Sequence, residues 1–245
     1  MQRPPPAVEL GACPTDVATV LAPSRFRTGS PPRLCYNRVV KLRLTVEGVA
    51  ARYGARLVFH DVSLEVREGE ALVVSGPNGS GKSTFLRLLA GLQRPDAGVI
   101  VYEAPGGACT PRDALPLIGW VAPDLMLYRD LTARENLRFF AAVRGLRCDD
   151  QALDLLLEQV GLGGRGNDRL ATYSSGMAQR LRYAYALLHR PPVLLLDEPT
   201  VTLDERGAGL VDTLIAAQRR AGMVVIATND PRELRYADLV LRLGG

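Results

Sequence analysis

Lysine is nearly missing from this chain: of 30 basic residues only Lys41 and Lys82 are lysine. An arginine-biased genome accounts for that, and it leaves Lys82 conspicuous. Hydrophobic runs of membrane-spanning length are missing as well. The longest apolar stretches, such as 193–196 and 223–227, have the length of strands, far short of the ~18 residues of a spanning helix. The chain is therefore not expected to cross a bilayer by itself. Its four cysteines, Cys13, Cys35, Cys109 and Cys148, stand singly. Without CxxC pairs or metal spacing they indicate neither a disulfide framework nor a zinc site, and a reducing cytoplasm fits best. A strong charge bias is lacking too. The formal charge is +4, but in residues 1–40 five arginines face only Glu9 and Asp16, which places +3 there and leaves +1 for the rest. A folded domain so nearly neutral has no electrostatic footprint for nucleic acid, and no nucleic-acid partner is expected.

What is present is an ordinary globular composition, 47% hydrophobic and 23% charged over 245 residues, enough for one large α/β domain or two small ones. Residues 1–38 hold seven of the 17 prolines and little hydrophobic periodicity, so 1–40 reads as a disordered Pro/Arg-rich extension. Leu10-Gly11-Ala12-Cys13 imitates a lipoprotein cleavage site, but Arg3-Pro4-Pro5-Pro6 and Glu9 occupy the place of the required apolar segment. Translation from Val39 or Val40 is the alternative expectation, because a strand-like run follows at once. Residues 41–245 then form the folded domain.

Within it, β-type runs alternate with helical ones. Strands are expected over 42–47, 57–66, 71–75, 98–102, 117–121, 193–196, 223–227 and 238–242, and helices beginning near Lys82, Thr132, Asp149, Ser175, Asp204 and Pro231. That alternation predicts an α/β sheet. The stretch from about 125 to 190 breaks it and reads as helical throughout, a helical insert in the α/β body.

Gly76-Pro77-Asn78-Gly79-Ser80-Gly81-Lys82-Ser83 fits G-x-x-x-x-G-K-[ST], follows the apolar strand 71–74 and precedes the helical run from Thr84. This is the context a phosphate loop requires. Its glycines let backbone N–H groups converge on phosphate oxygens, and the helix N-terminus adds positive dipole. Lys82 would reach the β- and γ-phosphates, and Ser83 could ligate Mg²⁺; Thr84 completes the nucleotide-binding set. A fortuitous Gly-rich turn is the competing reading. The second signal is Val193-Leu194-Leu195-Leu196-Asp197-Glu198, a buried-type strand that ends in two acids. Asp197 would hold Mg²⁺, usually through water, and Glu198 would act on the attacking water as general base. Alone, the pair would read as a solvated acidic turn; with the phosphate loop upstream it reads as catalytic.

These residues resemble the ATP-binding cassette (ABC) ATPases. Tyr173-Ser174-Ser175-Gly176-Met177 is similar to the family's LSGGQ signature, and Asp197-Glu198-Pro199-Thr200 with Leu203-Asp204 is similar to its Walker B segment and D-loop. The resemblance runs from about Lys41 to Gly245 with the motifs in the family's order. It implies a P-loop NTPase fold of ABC type: a mixed β-sheet core, an N-terminal antiparallel β-subdomain and a helical subdomain. It implies ATP and Mg²⁺ as cofactors and a head-to-tail dimer, with a like or unlike cassette. Each ATP would lie between the phosphate loop of one subunit and Ser174, Ser175, Gly176 and Met177 of the other. Tyr53 would be the aromatic that stacks on adenine; the alternative is a half-buried strand tyrosine. Ser174 would also cap a helix, and both roles are compatible.

The sequence departs from the family at two places. The family's Q-loop glutamine aligns with Pro123, which has no side-chain donor or acceptor. Asp124 beside it is a substitute metal-shell acceptor or, the favoured reading, a solvated loop carboxylate. The switch histidine aligns with Asn229, whose amide can bond a γ-phosphate but carries neither proton nor charge. His60 and His189 read as structural, so hydrolysis is expected to be slower, not absent. With one cassette and no membrane segment, the resemblance implies a separate membrane permease and a place on the cytoplasmic face of the inner membrane. The stretch 122–140, the variant signature and Ala227-Thr228-Asn229-Asp230 are similar to ATPases of haem exporters in cytochrome c biogenesis. Exporters of drugs, polysaccharides or lipids are the runner-up. A soluble ABC ATPase acting on DNA or ribosomes, or a purely regulatory nucleotide-binding module, is the alternative from another class.

Overall fold

The computed structural model describes residues 42–244; the expected disordered extension 1–40, Cys13 and Cys35 lie outside the described residues. Two sheets organise the chain. The first is antiparallel, in the order β2-β1-β4-β5, built from β1 (Arg43–Tyr53), β2 (Arg56–Arg67), β4 (Ala97–Ala104) and β5 (Gly107–Cys109). The second is parallel, in the order β6-β7-β8-β3-β9, from β3 (Ala71–Ser75), β6 (Ile118–Val121), β7 (Val193–Asp197), β8 (Met223–Thr228) and β9 (Leu239–Arg242). The helices are α1 (Lys82–Leu89), α2 (Ala133–Val143), α3 (Asp150–Gln159), α4 (Ser175–Leu187) and α5 (Glu205–Ala221).

The central strands of the parallel sheet are apolar on both faces, so their sequences run unbroken instead of alternating. Every residue of β7 and β8 is buried. Successive side chains nevertheless serve different cores, as the pleat requires. Leu72, Val74, Leu195 and Val225 pack with α1 and the antiparallel sheet, while Val73, Leu194, Leu196 and Ile226 pack with α2 to α5. The parallel sheet is thus a middle layer with a hydrophobic core on each side.

Several sequence expectations need correction. Residues 125–190 are not helical throughout. Turns link α2 to α3 at Gly145 and α3 to α4 across Gly161 and Gly164, and all three glycines take positive φ. The segment from Pro231 is a 3₁₀ turn, Pro231–Tyr236, capped by the Asp230 side chain on Arg232 N. It stops early because Asp238 N–H must bond to Ala71 O, 2.9 Å away, as the chain joins the sheet beside β3. Strand β1 runs on to Tyr53, past register shifts near Gly48 (φ 58°), and β5 had no legible signal in three residues.

The loop before α2 is fixed from within the helix. Thr132 caps it through a capping box: its hydroxyl accepts from Glu135 N, and the Glu135 carboxylate accepts from Thr132 N. One turn on, Asn136 is fully buried. Its Oδ1 accepts from Tyr128 N at 2.8 Å, and its Nδ2 donates to Tyr128 O at 2.9 Å and Thr132 O at 3.0 Å. An alanine there strands both polar groups of Tyr128. Asn136→Ala is expected to cost about 1–3 kcal/mol, seen as a lower urea midpoint with an unchanged m value.

Candidate functional site

Parallel strands β7, β8 and β3 lie side by side, so their carboxyl ends share one edge of the sheet, the edge where open α/β sheets place ligands. Three segments converge there: the loop 76–81 after β3, Asp197 and Glu198 at the end of β7, and Asn229 just past β8. Asn78, Gly79, Gly81, Lys82, Ser83, Thr84, Asp197 and Glu198 line a cavity of about 440 Å³ together with Tyr53, Arg56, Val58 and Pro123, and Asn229 stands beside it, bonded to Asn78.

The loop's shape comes from its glycines. Gly79 has φ 81° and Gly81 φ 101°, in the left-handed region, and Phe85 N–H closes the first helical turn on Gly81 O at 2.8 Å. Gly76 does not take positive φ, but a Cβ there would lie 2.3 Å from Leu243 O and 2.6 Å from Ser80 Oγ. Lys82 is only 6% exposed and curls back over its own loop. Its ammonium donates to Gly76 O at 2.9 Å and Pro77 O at 3.2 Å and lies 3.5 Å from Glu198 Oε1. A buried ammonium needs such partners.

Asp197 is 4% exposed, and burial pushes its carboxyl pKa up, against a hydrogen bond from Ser83 that lowers it; the neighbouring Glu198 raises it further. Its Oδ1 is buried without a partner. A hard cation or its water would satisfy that orphaned oxygen, and the oxygen donors of Ser83 and Asp197 are the kind Mg²⁺ prefers. Glu198 follows at φ 50°, a left-handed conformation that a non-glycine residue seldom adopts. Its N–H donates to Ala227 O at 2.8 Å, and its Oε2 accepts from Asn229 N at 3.3 Å. The Asn229 amide in turn donates to Asn78 Oδ1 at 2.9 Å.

Tyr53 ends β1 opposite Arg56 and is 82% exposed at the cavity mouth, not half-buried. Pro123 lines the cavity. Asp124 does not; it is exposed, 3.8 Å from Arg87, and borders a second cavity with Trp120, Met126, Arg144 and Tyr185. Ser174, Ser175, Gly176 and Met177 lie elsewhere, at the start of α4, where Ser174 Oγ accepts from Met177 N at 3.2 Å. Leu203 and Asp204 are near them: Gly176 faces Thr202 O and Leu203, and Asp204 caps α5 on Gly207 N. His60 is exposed on β2. His189 bonds Ile118 O through Nε2, and burial, aided by Arg144, takes its pKa down to about 4. Arg56 and Val58 were missed as lining residues, although the Tyr53-Gly54 turn signal places Arg56 directly across the hairpin.

A phosphate loop on β3, acids on β7 and a polar side chain past β8, over a parallel sheet flanked by an antiparallel one, define an ATPase of the P-loop class. The ABC transporter family profile matches residues 59–201, and the chain belongs to that family, whose members hydrolyse ATP. It is 38% identical over 200 residues to the cytochrome c biogenesis ATP-binding export protein CcmA of Rhizobium johnstonii, covering 79% of this chain and 91% of that protein. It is also 38% identical over 164 residues to the uncharacterized ABC transporter ATP-binding protein YdbJ of Bacillus subtilis, covering 67% of this chain and 53% of that one. Among solved structures, a bacterial Atm1-family ABC exporter with ATP bound superposes with a TM-score of 0.72 at 25% identity, over 83% of this chain and 37% of the exporter.

The backbone at Gly81 admits no side chain without strain. A Cβ would lie 2.4 Å from Val58 Cγ1, and φ 101° is unfavourable for any L-residue. Gly81→Ala is expected to cost about 1–2 kcal/mol in thermal unfolding and to abolish binding of a fluorescent ATP analogue.

Proposed function

We propose that this chain is the ATP-hydrolysing subunit of an exporter whose membrane permease is a separate protein, and that it works as one of a pair of cassettes. The observation that carries the catalytic reading is the meeting of Lys82, Asp197, Glu198 and Asn229 at one sheet edge. In this reading the phosphates of ATP replace Gly76 O, Pro77 O and Glu198 as acceptors from the Lys82 ammonium, with the amides of 79–84 around them. Ser83 and Asp197 hold Mg²⁺, which would neutralise charge developing on the phosphates. Glu198, released from Lys82, accepts the proton of the attacking water, and Tyr53 offers its exposed ring to adenine.

Ser174 to Met177 lie outside this cavity, on an exposed helix start suited to an anion. That supports a partner cassette bringing its own signature to complete the site, with Leu203 and Asp204 next to the junction. Leu92, Leu115 and Met126 are exposed around the second cavity and supply apolar surface for a protein partner. This supports docking to a permease at the cytoplasmic face of the inner membrane. Among the described residues no helix is long and apolar enough to cross a membrane. Haem export is the specific activity proposed, on the likeness to CcmA over nearly its whole length; another exporter ATPase is the alternative, since YdbJ is as similar in identity.

Lys82→Ala is expected to lose ATP binding, and Glu198→Gln to bind ATP but hydrolyse little and accumulate as a nucleotide-trapped dimer in size-exclusion chromatography. Full turnover by Glu198→Gln would refute the general-base assignment. Asn229 offers a second test. A histidine there adds a donor that can be charged, so Asn229→His should speed turnover by roughly five- to thirtyfold, about 1–2 kcal/mol. Asn229→Ala should slow it, with ATP affinity changing much less in both. Equal rates would show that position 229 does not touch the γ-phosphate.

A further inference from the structure

Glu233 has no place in the reading above, yet it is among the most buried charged residues of the chain, 3% exposed within the turn Pro231–Tyr236. Burying a carboxyl group is costly unless it is hydrogen-bonded or neutral. Its Oε1 accepts from the Thr200 hydroxyl at 2.5 Å, the nearby Thr228 hydroxyl favours its charged form, and its Oε2 is buried without a hydrogen-bond partner. Burial raises its pKa against these bonds, and Asp230 adds to the rise.

The partners matter for where they sit. Thr200 belongs to the turn 198–200 that leaves β7, whose first residue is Glu198 in its left-handed conformation. Thr228 ends β8, one residue before Asn229, and its hydroxyl already accepts from Asp230 N at 2.9 Å. Glu233 is therefore tied to both segments, the one that carries Glu198 and the one that carries Asn229. A second buried side chain steadies the same turn from the other side: Tyr183 of α4 donates to Pro199 O at 2.9 Å.

We propose that Glu233 is a positioning residue for hydrolysis, locking the turn that carries Glu198 to the loop that carries Asn229 and so fixing the angle at which the Glu198 carboxylate meets the attacking water. The inference rests on Glu198 as the general base. Glu233 does not line the cavity, so its removal disturbs the chemical step and leaves the phosphate loop and the adenine face intact. Misplacing a catalytic group by an ångström is enough to slow a reaction by roughly a hundredfold.

The test is steady-state ATP hydrolysis by the full chain, with ATP affinity and melting temperature measured on the same samples. Glu233→Ala is expected to lower kcat roughly ten- to hundredfold while ATP affinity stays near wild type. Glu233→Gln, which keeps an acceptor for Thr200, should restore most of the rate. Thr200→Val removes the same hydrogen bond with little change of shape. It should lower kcat in the same direction, and the double variant Thr200→Val with Glu233→Ala should be no worse than Glu233→Ala alone. Wild-type kcat in Thr200→Val and Glu233→Ala, with Glu198→Gln inactive, would overturn the assignment of Glu233 alone. Parallel loss of kcat, affinity and melting temperature, unrelieved by Glu233→Gln, would also overturn it by showing a role in stability only. Full turnover in Glu198→Gln would instead overturn the general-base reading beneath it.

Discussion

The site depends on the adjacency of three parallel strands. β7, β8 and β3 are hydrogen-bonded neighbours, and because they are parallel their carboxyl ends open on the same edge. A lysine loop, a pair of acids and an asparagine from distant parts of the chain are thereby held within a few ångströms of each other. The strands can do this because both of their faces are covered, by α1 and the antiparallel sheet on one side and by α2 to α5 on the other. The rigidity of a doubly buried sheet is passed to the loops at its edge.

That edge concentrates charge where water is scarce. Lys82 and Asp197 are almost fully enclosed, and each is held by a short list of polar neighbours: two loop carbonyls and Glu198 for the ammonium, Ser83 for the carboxylate. One oxygen of Asp197 has no partner. Such an arrangement is costly for a protein that only has to fold, and it is what a site built to receive phosphate and a divalent cation requires. The left-handed backbone at Glu198 belongs with it, since strain of this kind persists where the surroundings over-determine it. Here those surroundings are Tyr183 on Pro199 and Glu233 on Thr200.

The surface outside the cavity has a different character. The signature residues and the D-loop lie against each other around Gly176, Thr202 and Leu203, away from the phosphate loop of their own chain. Beside the second cavity, Tyr128, Phe139, Phe140 and Tyr185 form a linked set of aromatic contacts, with Tyr128 and Phe139 substantially exposed. Both surfaces are consistent with a chain that works within an assembly.

The sequence alone determined those parts whose physics is local or periodic. β3, β7 and β8 were legible because a doubly buried parallel strand is an unbroken apolar run, and the phosphate loop because its glycines, lysine and serine must follow one another for backbone reasons. The helix starts near Thr132, Asp149, Ser175 and Asp204 were legible for the same cause, since a cap acts on amides two or three residues ahead, and Thr132, Asp149, Ser174 and Asp204 prove to be those caps. The tertiary structure decided whatever depends on chain segments meeting. It put Pro123 in the cavity and turned Asp124 towards Arg87, a division that neighbours in sequence do not announce. It brought Arg56 across a hairpin to Tyr53, and Asn229 to Asn78 across 151 residues. It also cut short the helix expected at Pro231 and buried Glu233, because strand β9 had to reach its place beside β3, and no pattern within the segment itself encodes the position of that neighbour.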